Sequence, residues 1–110
     1  MRIDFEQLDE TIIPQFYGGE KETAARMYAD AHNKIMLGHL EPGASIGLHA
    51  HQTSSEMIYI LSGSGTALCD GVTEAMQPGC CHYCPKGHTH SLINTGSEPL
   101  LFFAVVSEQE

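Results

Sequence analysis

Gly43-Ala44-Ser45-Ile46-Gly47-Leu48-His49-Ala50-His51-Gln52-Thr53-Ser54-Ser55-Glu56, closed by Gly63, is the stretch on which the fold turns. Residues two apart on a β-strand face the same side, so His49 and His51 form a pincer directed to one face. The Gln52 to Ser55 segment lets the chain reverse, and Glu56 then presents a carboxylate from the next strand toward the same point. Working outward, turn signals recur every eight to twelve residues from about position 30, the spacing of an all-β sandwich or barrel. Strands are predicted over 26–29, 34–40, 46–50, 56–61, 66–69, 72–76, 80–84, 88–94 and 99–106. Pro42-Gly43, Ser62-Gly63, Asp70-Gly71, Pro78-Gly79 and Pro85-Lys86-Gly87 break the chain between them, and Asp-Gly favours a tight hairpin. Residues 1–20 are less legible, and Phe5 to Ile13 reads equally as a short helix or an edge segment.

A second patterned stretch runs from Gly79 through Pro85, Gly87 and His90 to Asn94. Strand parity puts His90, Leu92 and Asn94 on one face, with His90 nearest the turn. Together the two stretches, at 43–63 and 79–94, resemble the two signature motifs of the cupin superfamily with every fixed position intact. The resemblance implies a single-domain, double-stranded β-helix (jelly-roll) barrel spanning residues 1–110. It also implies that His49, His51, Glu56 and His90 bind one divalent metal ion while the glycines and the proline turn the barrel corners. The family usually carries an acidic residue where this chain has Cys80. Small cupins commonly pair through edge strands and exchange N-terminal segments. A homodimer is therefore expected, with the apolar strand Leu100 to Val106 covered that way.

Three imidazoles and a carboxylate form a mixed nitrogen and oxygen set that suits manganese, iron, cobalt, nickel or zinc and disfavours calcium and magnesium. Four ligands on a six-coordinate ion leave two adjacent positions for water or a bidentate substrate. His88 precedes His90 by two residues and is a candidate proton-transfer residue at the pocket mouth, or simply an exposed loop side chain. His32 and His39 read as structural or surface residues, and His82 alternates with tyrosine on a strand that could pack on either face. Cys81 and Cys84 invite a zinc reading, but residues three apart on a strand face opposite ways. Buried reduced thiols are the better expectation. Ile58, Ile60 and Leu92 share the ligands' parity and would give an apolar pocket wall, or plain core. Arg26 and Tyr28 are candidates for a substrate clamp, with an ordinary exposed arginine as the alternative.

Composition sets the outer limits. The 110-residue chain is 42% hydrophobic and 17% charged, enough for one core and too little for two. Its apolar runs fall far short of the roughly 20 residues of a membrane span, and the acid-containing N-terminus lacks a secretory pattern, so a cytoplasmic location is expected. Fourteen acids against five bases give a net charge of −9, which repels nucleic acid and anionic lipid. The expected partner is a small molecule. Four cysteines without a leader point to reduced thiols, not a disulfide framework. The function that fits is a metal-dependent isomerase, lyase or decarboxylase acting on a small oxygen-rich metabolite such as a sugar, keto acid or hydroxy acid. Two rivals are a non-enzymatic binding or sensor module and an iron-dependent dioxygenase.

Overall fold

The computed structural model describes residues 1–109. The described residues form ten strands: β1 (Thr11–Pro14), β2 (Glu22–Ala29), β3 (Asn33–Leu40), β4 (Ser45–Ala50), β5 (Ser54–Ser62), β6 (Gly65–Cys69), β7 (Val72–Met76), β8 (Cys81–Cys84), β9 (Thr89–Ile93) and β10 (Leu100–Glu108). A six-stranded sheet runs in the order β1-β2-β3-β10-β5-β8 and packs on a four-stranded sheet ordered β4-β9-β6-β7. Every strand pair is antiparallel. This is the all-β architecture expected from the turn spacing and the jelly-roll barrel implied by the cupin resemblance.

Alternation builds the core. In β5 and β10 the inward positions Ile58, Ile60, Leu100 and Phe102 are fully buried, and Leu40 and Leu92 meet them from β3 and β9. A fully buried aliphatic or aromatic side chain of this size contributes roughly 1.5–3 kcal/mol, so this layer holds the two sheets face to face. Asp70 and Gly71 take φ of 50° and 82°, the left-handed pair that a two-residue β-hairpin needs. Asn94 closes the far end of the second motif. Its buried amide donates to the Leu40 and Glu98 carbonyls at 2.8 Å each, and its oxygen accepts from Gly96 N–H at 2.9 Å.

Three expectations need correction. β2 begins at Glu22, four residues before the predicted strand; Thr23, Ala24 and Ala25 are too small to signal a strand by themselves and are buried by pairing with β1 and β3. The undecided N-terminus is both things at once, a short 3-10 turn at Phe5–Gln7 followed by the edge strand β1. Leu100 to Val106 offers no edge for a partner to cover, because β10 is flanked by β3 on one side and β5 on the other. The edges of the larger sheet are β1 and β8.

Candidate metal centre

β4, β5 and β9 converge on one point. His49 and His90 are direct cross-strand partners on β4 and β9. His51 follows just after β4, tied to the turn before β9 by its N–H to the His88 carbonyl (3.2 Å) and by Gly87 N–H to its own carbonyl (2.6 Å). Glu56 enters from β5. The Nε2 atoms of His49, His51 and His90 lie 2.9–3.1 Å from one another. Glu56 Oε1 is 2.9 Å from two of them and 3.9 Å from that of His49. Bonds of about 2.1 Å at right angles around one ion put neighbouring ligand atoms about 3 Å apart, so the donor set fits a six-coordinate ion. All four sequence-predicted ligands are brought together, and His51, Glu56 and His90 are buried.

The outward nitrogens explain why the inward ones are free. His49 Nδ1 lies 2.7 Å from the Gly47 carbonyl, which only accepts, so Nδ1 carries the hydrogen and Nε2 the lone pair. His51 Nδ1 meets Ser54 Oγ at 3.1 Å, and His90 Nδ1 meets His82 Nε2 at 3.0 Å. Although burial alone would raise the Glu56 carboxyl, the imidazoles of His49, His51 and His90 gathered against it hold it far below the usual carboxylate range. Burial pushes His90 below the ordinary imidazole range. With the Nδ1 hydrogens of His51 and His90 directed to Ser54 and His82 in the same way, three lone pairs and an ionised carboxylate face one another, and such a set is stable only around positive charge. Without a cation, a shared proton has to fill that role.

Beside the cluster lies a cavity of about 20 Å³ lined by Phe16, Tyr17, Lys34, Met36, Ile46 and Val106 together with His49, His51 and Glu56. That volume admits about one water-sized group. Tyr17, Lys34, His51 and Val106 also line an adjoining open pocket of about 720 Å³. Tyr17 has φ of 52° and its ring stacks on His49, with centroids 3.9 Å apart and planes within 12°. A β-carbon at Gly47 would strike the Tyr17 carbonyl, so only glycine there lets the segment carrying Tyr17 lie this close to β4.

The remaining candidates sit elsewhere. His88 is exposed and its Nδ1 is bonded to Asp70; it precedes β9, so strand alternation does not extend to it. With Cys69 and Asp70 it forms a second, exposed group of ligand-type atoms. Ile58, Ile60 and Leu92 face inward but belong to the core; Met36, Ile46 and Val106 supply the apolar wall instead. Arg26 is no clamp, since its guanidinium donates to the Leu8 carbonyl at 2.5 Å, and the Tyr28 hydroxyl meets Met1 sulfur at 3.6 Å. Cys81 and Cys84 lie on opposite faces as predicted, but only Cys84 is a buried thiol; Cys81 is exposed, on the outward face of β8, and all four cysteines are free. His32 is exposed and His39 half-buried.

Sequence reasoning missed Tyr17, Lys34 and the link from His90 to His82. For His82 the sequence offered only alternation with tyrosine, and its face is settled by the register: Cys84 pairs with the inward-facing Glu56 across β5 and β8, so the residue two before it faces inward too.

Comparison with known proteins agrees with this architecture. The cupin domain profile matches residues 36–106. An oxalate-binding protein from Thermotoga maritima is 38% identical over 92 residues, covering 80% of this chain and 76% of the relative. The crystal structure of a Thermotoga maritima protein described as a predicted oxalate decarboxylase superposes with a TM-score of 0.92 at 27% identity, over 98% of this chain and 99% of that one. A sugar phosphate isomerase of the cupin superfamily from Silicibacter pomeroyi shares the fold, with a TM-score of 0.80 at 21% identity over 99% of this chain and 76% of that one. With both motifs, the barrel and the ligand cluster in place, the chain belongs to the cupin family.

Proposed function

We propose that His49, His51, Glu56 and His90 hold one divalent transition metal ion, and that the ion and the adjoining pocket bind a small oxygen-rich anion such as a dicarboxylate or keto acid. The observation that carries this reading is the convergence of the Glu56 carboxylate with the Nε2 atoms of three imidazoles whose Nδ1 atoms are engaged on the outside. When bound, such an ion polarises coordinated carbonyl or carboxylate oxygens and acidifies bound water. Lys34, which lines both cavities, supplies a positive charge at the rim in a chain of net charge −9. Tyr17 and the apolar wall limit the size of what reaches the ion. The Thermotoga relative named for oxalate binding supports a small dicarboxylate as ligand class.

Catalysis of the isomerase, lyase or decarboxylase type is the second reading. Lys34 and Tyr17, whose side chains border both the cluster and the open pocket, favour it, because either can donate or hold a proton beside a bound ligand. They suit that role better than His88, whose ring is engaged by Asp70. Titration calorimetry with oxalate, run on manganese-loaded and chelator-treated protein, separates these ideas. Binding by the loaded protein alone supports the proposal, and NMR of the recovered ligand then distinguishes capture from conversion. Oxygen consumption confined to the iron form would favour a dioxygenase. Equal binding with and without metal would defeat the metal-dependent reading.

We also propose a homodimer, through a different surface from the one expected. Met57, Tyr59, Leu61, Tyr83 and Leu101 are exposed on the outer face of the six-stranded sheet. The N-terminal segment covers part of that face, with Phe5 edge-on to Phe103. The bare apolar remainder is the kind of patch that association covers. A monomer mass at all concentrations in light scattering would refute this.

A further inference from the structure

His82 lies within the second stretch but is none of its fixed residues, yet only 1% of it is exposed. It sits where the backbone does not close the barrel. β8 is the outer strand of one sheet and β7 the outer strand of the other, and they share no ladder. The His82 side chain crosses this seam. Its Nδ1 lies 2.7 Å from Glu74 Oε1 on β7, and its Nε2 lies 3.0 Å from His90 Nδ1 on β9. The planes of the two rings agree within 17°, with centroids 5.2 Å apart, as for imidazoles joined edge to edge by an N–H···N bond.

The direction of each bond follows from what the atoms can do. A carboxylate only accepts, so His82 Nδ1 carries a hydrogen. In the neutral ring Nε2 is then an acceptor, and His90 donates its own Nδ1–H to it. That leaves the lone pair of His90 on Nε2, 2.9 Å from Glu56 Oε1 and from His51 Nε2. His49 and His51 take their outer partners from two and three residues away in their own segment. His90 takes its partner from another strand, and that partner ends in a half-exposed carboxylate.

We infer that Glu74 and His82 are positioning residues for His90, an outer relay that fixes its tautomer and ring orientation and strengthens it as a ligand. The inference rests on the reading that the four inner residues hold a metal ion. Outer partners of ligating histidines govern ligand basicity, and losing one weakens metal binding by about 10–100-fold.

The test uses full-length wild type, Glu74→Ala, His82→Phe and His82→Gln. Affinity for zinc and cobalt(II) is measured by competition with a chromophoric chelator, and the histidine tautomers of each zinc-loaded protein are read by ¹⁵N NMR. Glu74→Ala is expected to weaken binding about 10-fold and His82→Phe by about 10–100-fold, with the cobalt absorption bands shifted in both. His82→Gln is expected to recover most of the loss, because an amide oxygen also accepts from His90 Nδ1–H. Glu74 is half-exposed on an edge strand, so Glu74→Ala decides the matter if His82→Phe fails to fold. Wild-type affinity and an unchanged cobalt spectrum in Glu74→Ala, with one equivalent still bound by wild type, would overturn the relay alone. No ion bound by wild type would overturn the metal centre and the relay with it.

Discussion

His88 and His90 are two residues apart, and each lies in a cluster of ligand-type side chains, one open to solvent and one enclosed. In the exposed cluster the charges are already spent on one another. Asp70 is engaged by His88 and by the Thr89 N–H, and both bonds hold its carboxyl below the usual range. Burial pushes the neighbouring Cys69 thiol up, so it keeps its proton and makes a poor ligand. In the enclosed cluster the imidazole hydrogens are directed outward to Gly47, Ser54 and His82, and what remains inside is electron-rich. Donor atoms become a metal site when their protons are disposed of elsewhere and water cannot substitute for the ion.

The largest effect that would break this comparison is loss of the proposed ion itself. Protein purified without added metal is expected to carry about one equivalent by elemental analysis, and the His49→Ala, His51→Ala double variant none. Asp70→Ala, His88→Ala should leave the metal content unchanged; a drop there would mean that the exposed group takes part. Next is Glu56→Gln, which keeps the shape and removes the buried charge. Chelator competition should show a loss greater than the roughly 10–100-fold that follows removal of an outer hydrogen-bond partner.

Acidification should act on the enclosed cluster in a defined direction. Because burial lowers His90, the neutral, ligating ring persists to lower pH than in a free imidazole of pKa about 6.5. The ion is therefore expected to stay bound through neutral pH and to be released as protons win the nitrogens below about pH 6, which a zinc-sensitive dye reads directly. The stabilising effect of the ion follows the same sign, present at neutral pH and lost as pH falls. At metal concentrations near 100 times Kd it amounts to about 2.7 kcal/mol, so chelation should lower Tm by roughly 10 °C in a domain of this size. The smallest effect concerns the thiols. Alkylation at neutral pH should label the exposed Cys81 first and Cys84 last, since burial pushes Cys84 up to about 12; early labelling of Cys84 would show that β8 opens.

The legible part of this molecule was the part encoded at fixed spacing. His49, His51 and Glu56 could be directed to one point because two-residue parity and the intervening turn act locally, whereas the place of His90 beside them came from the resemblance of the two stretches to the cupin motifs. The Asp70-Gly71 hairpin and the opposed faces of Cys81 and Cys84 were readable for the same reason. What chain order hides is which distant strands become neighbours. Leu100 to Val106 reads as an apolar strand in either a central or an edge position, and only its pairing with both β3 and β5 decides between them. Tyr17 reaches His49 through a segment with left-handed backbone at Gln15 and Tyr17, a conformation that these residue types do not announce. Glu74 and His82 meet across a seam between sheets, where no periodicity applies.

The stack of Tyr17 on His49 has an optical consequence. The chain contains no tryptophan and four tyrosines, so ultraviolet emission comes from phenol rings alone. The centroid of one of those rings lies 3.9 Å from that of His49, an imidazole of the proposed metal centre, close enough for an open-shell ion such as cobalt(II) or nickel(II) bound there to quench it while zinc leaves it bright. The fold thus carries its own occupancy gauge, and loading could be followed in unlabelled protein by its fluorescence.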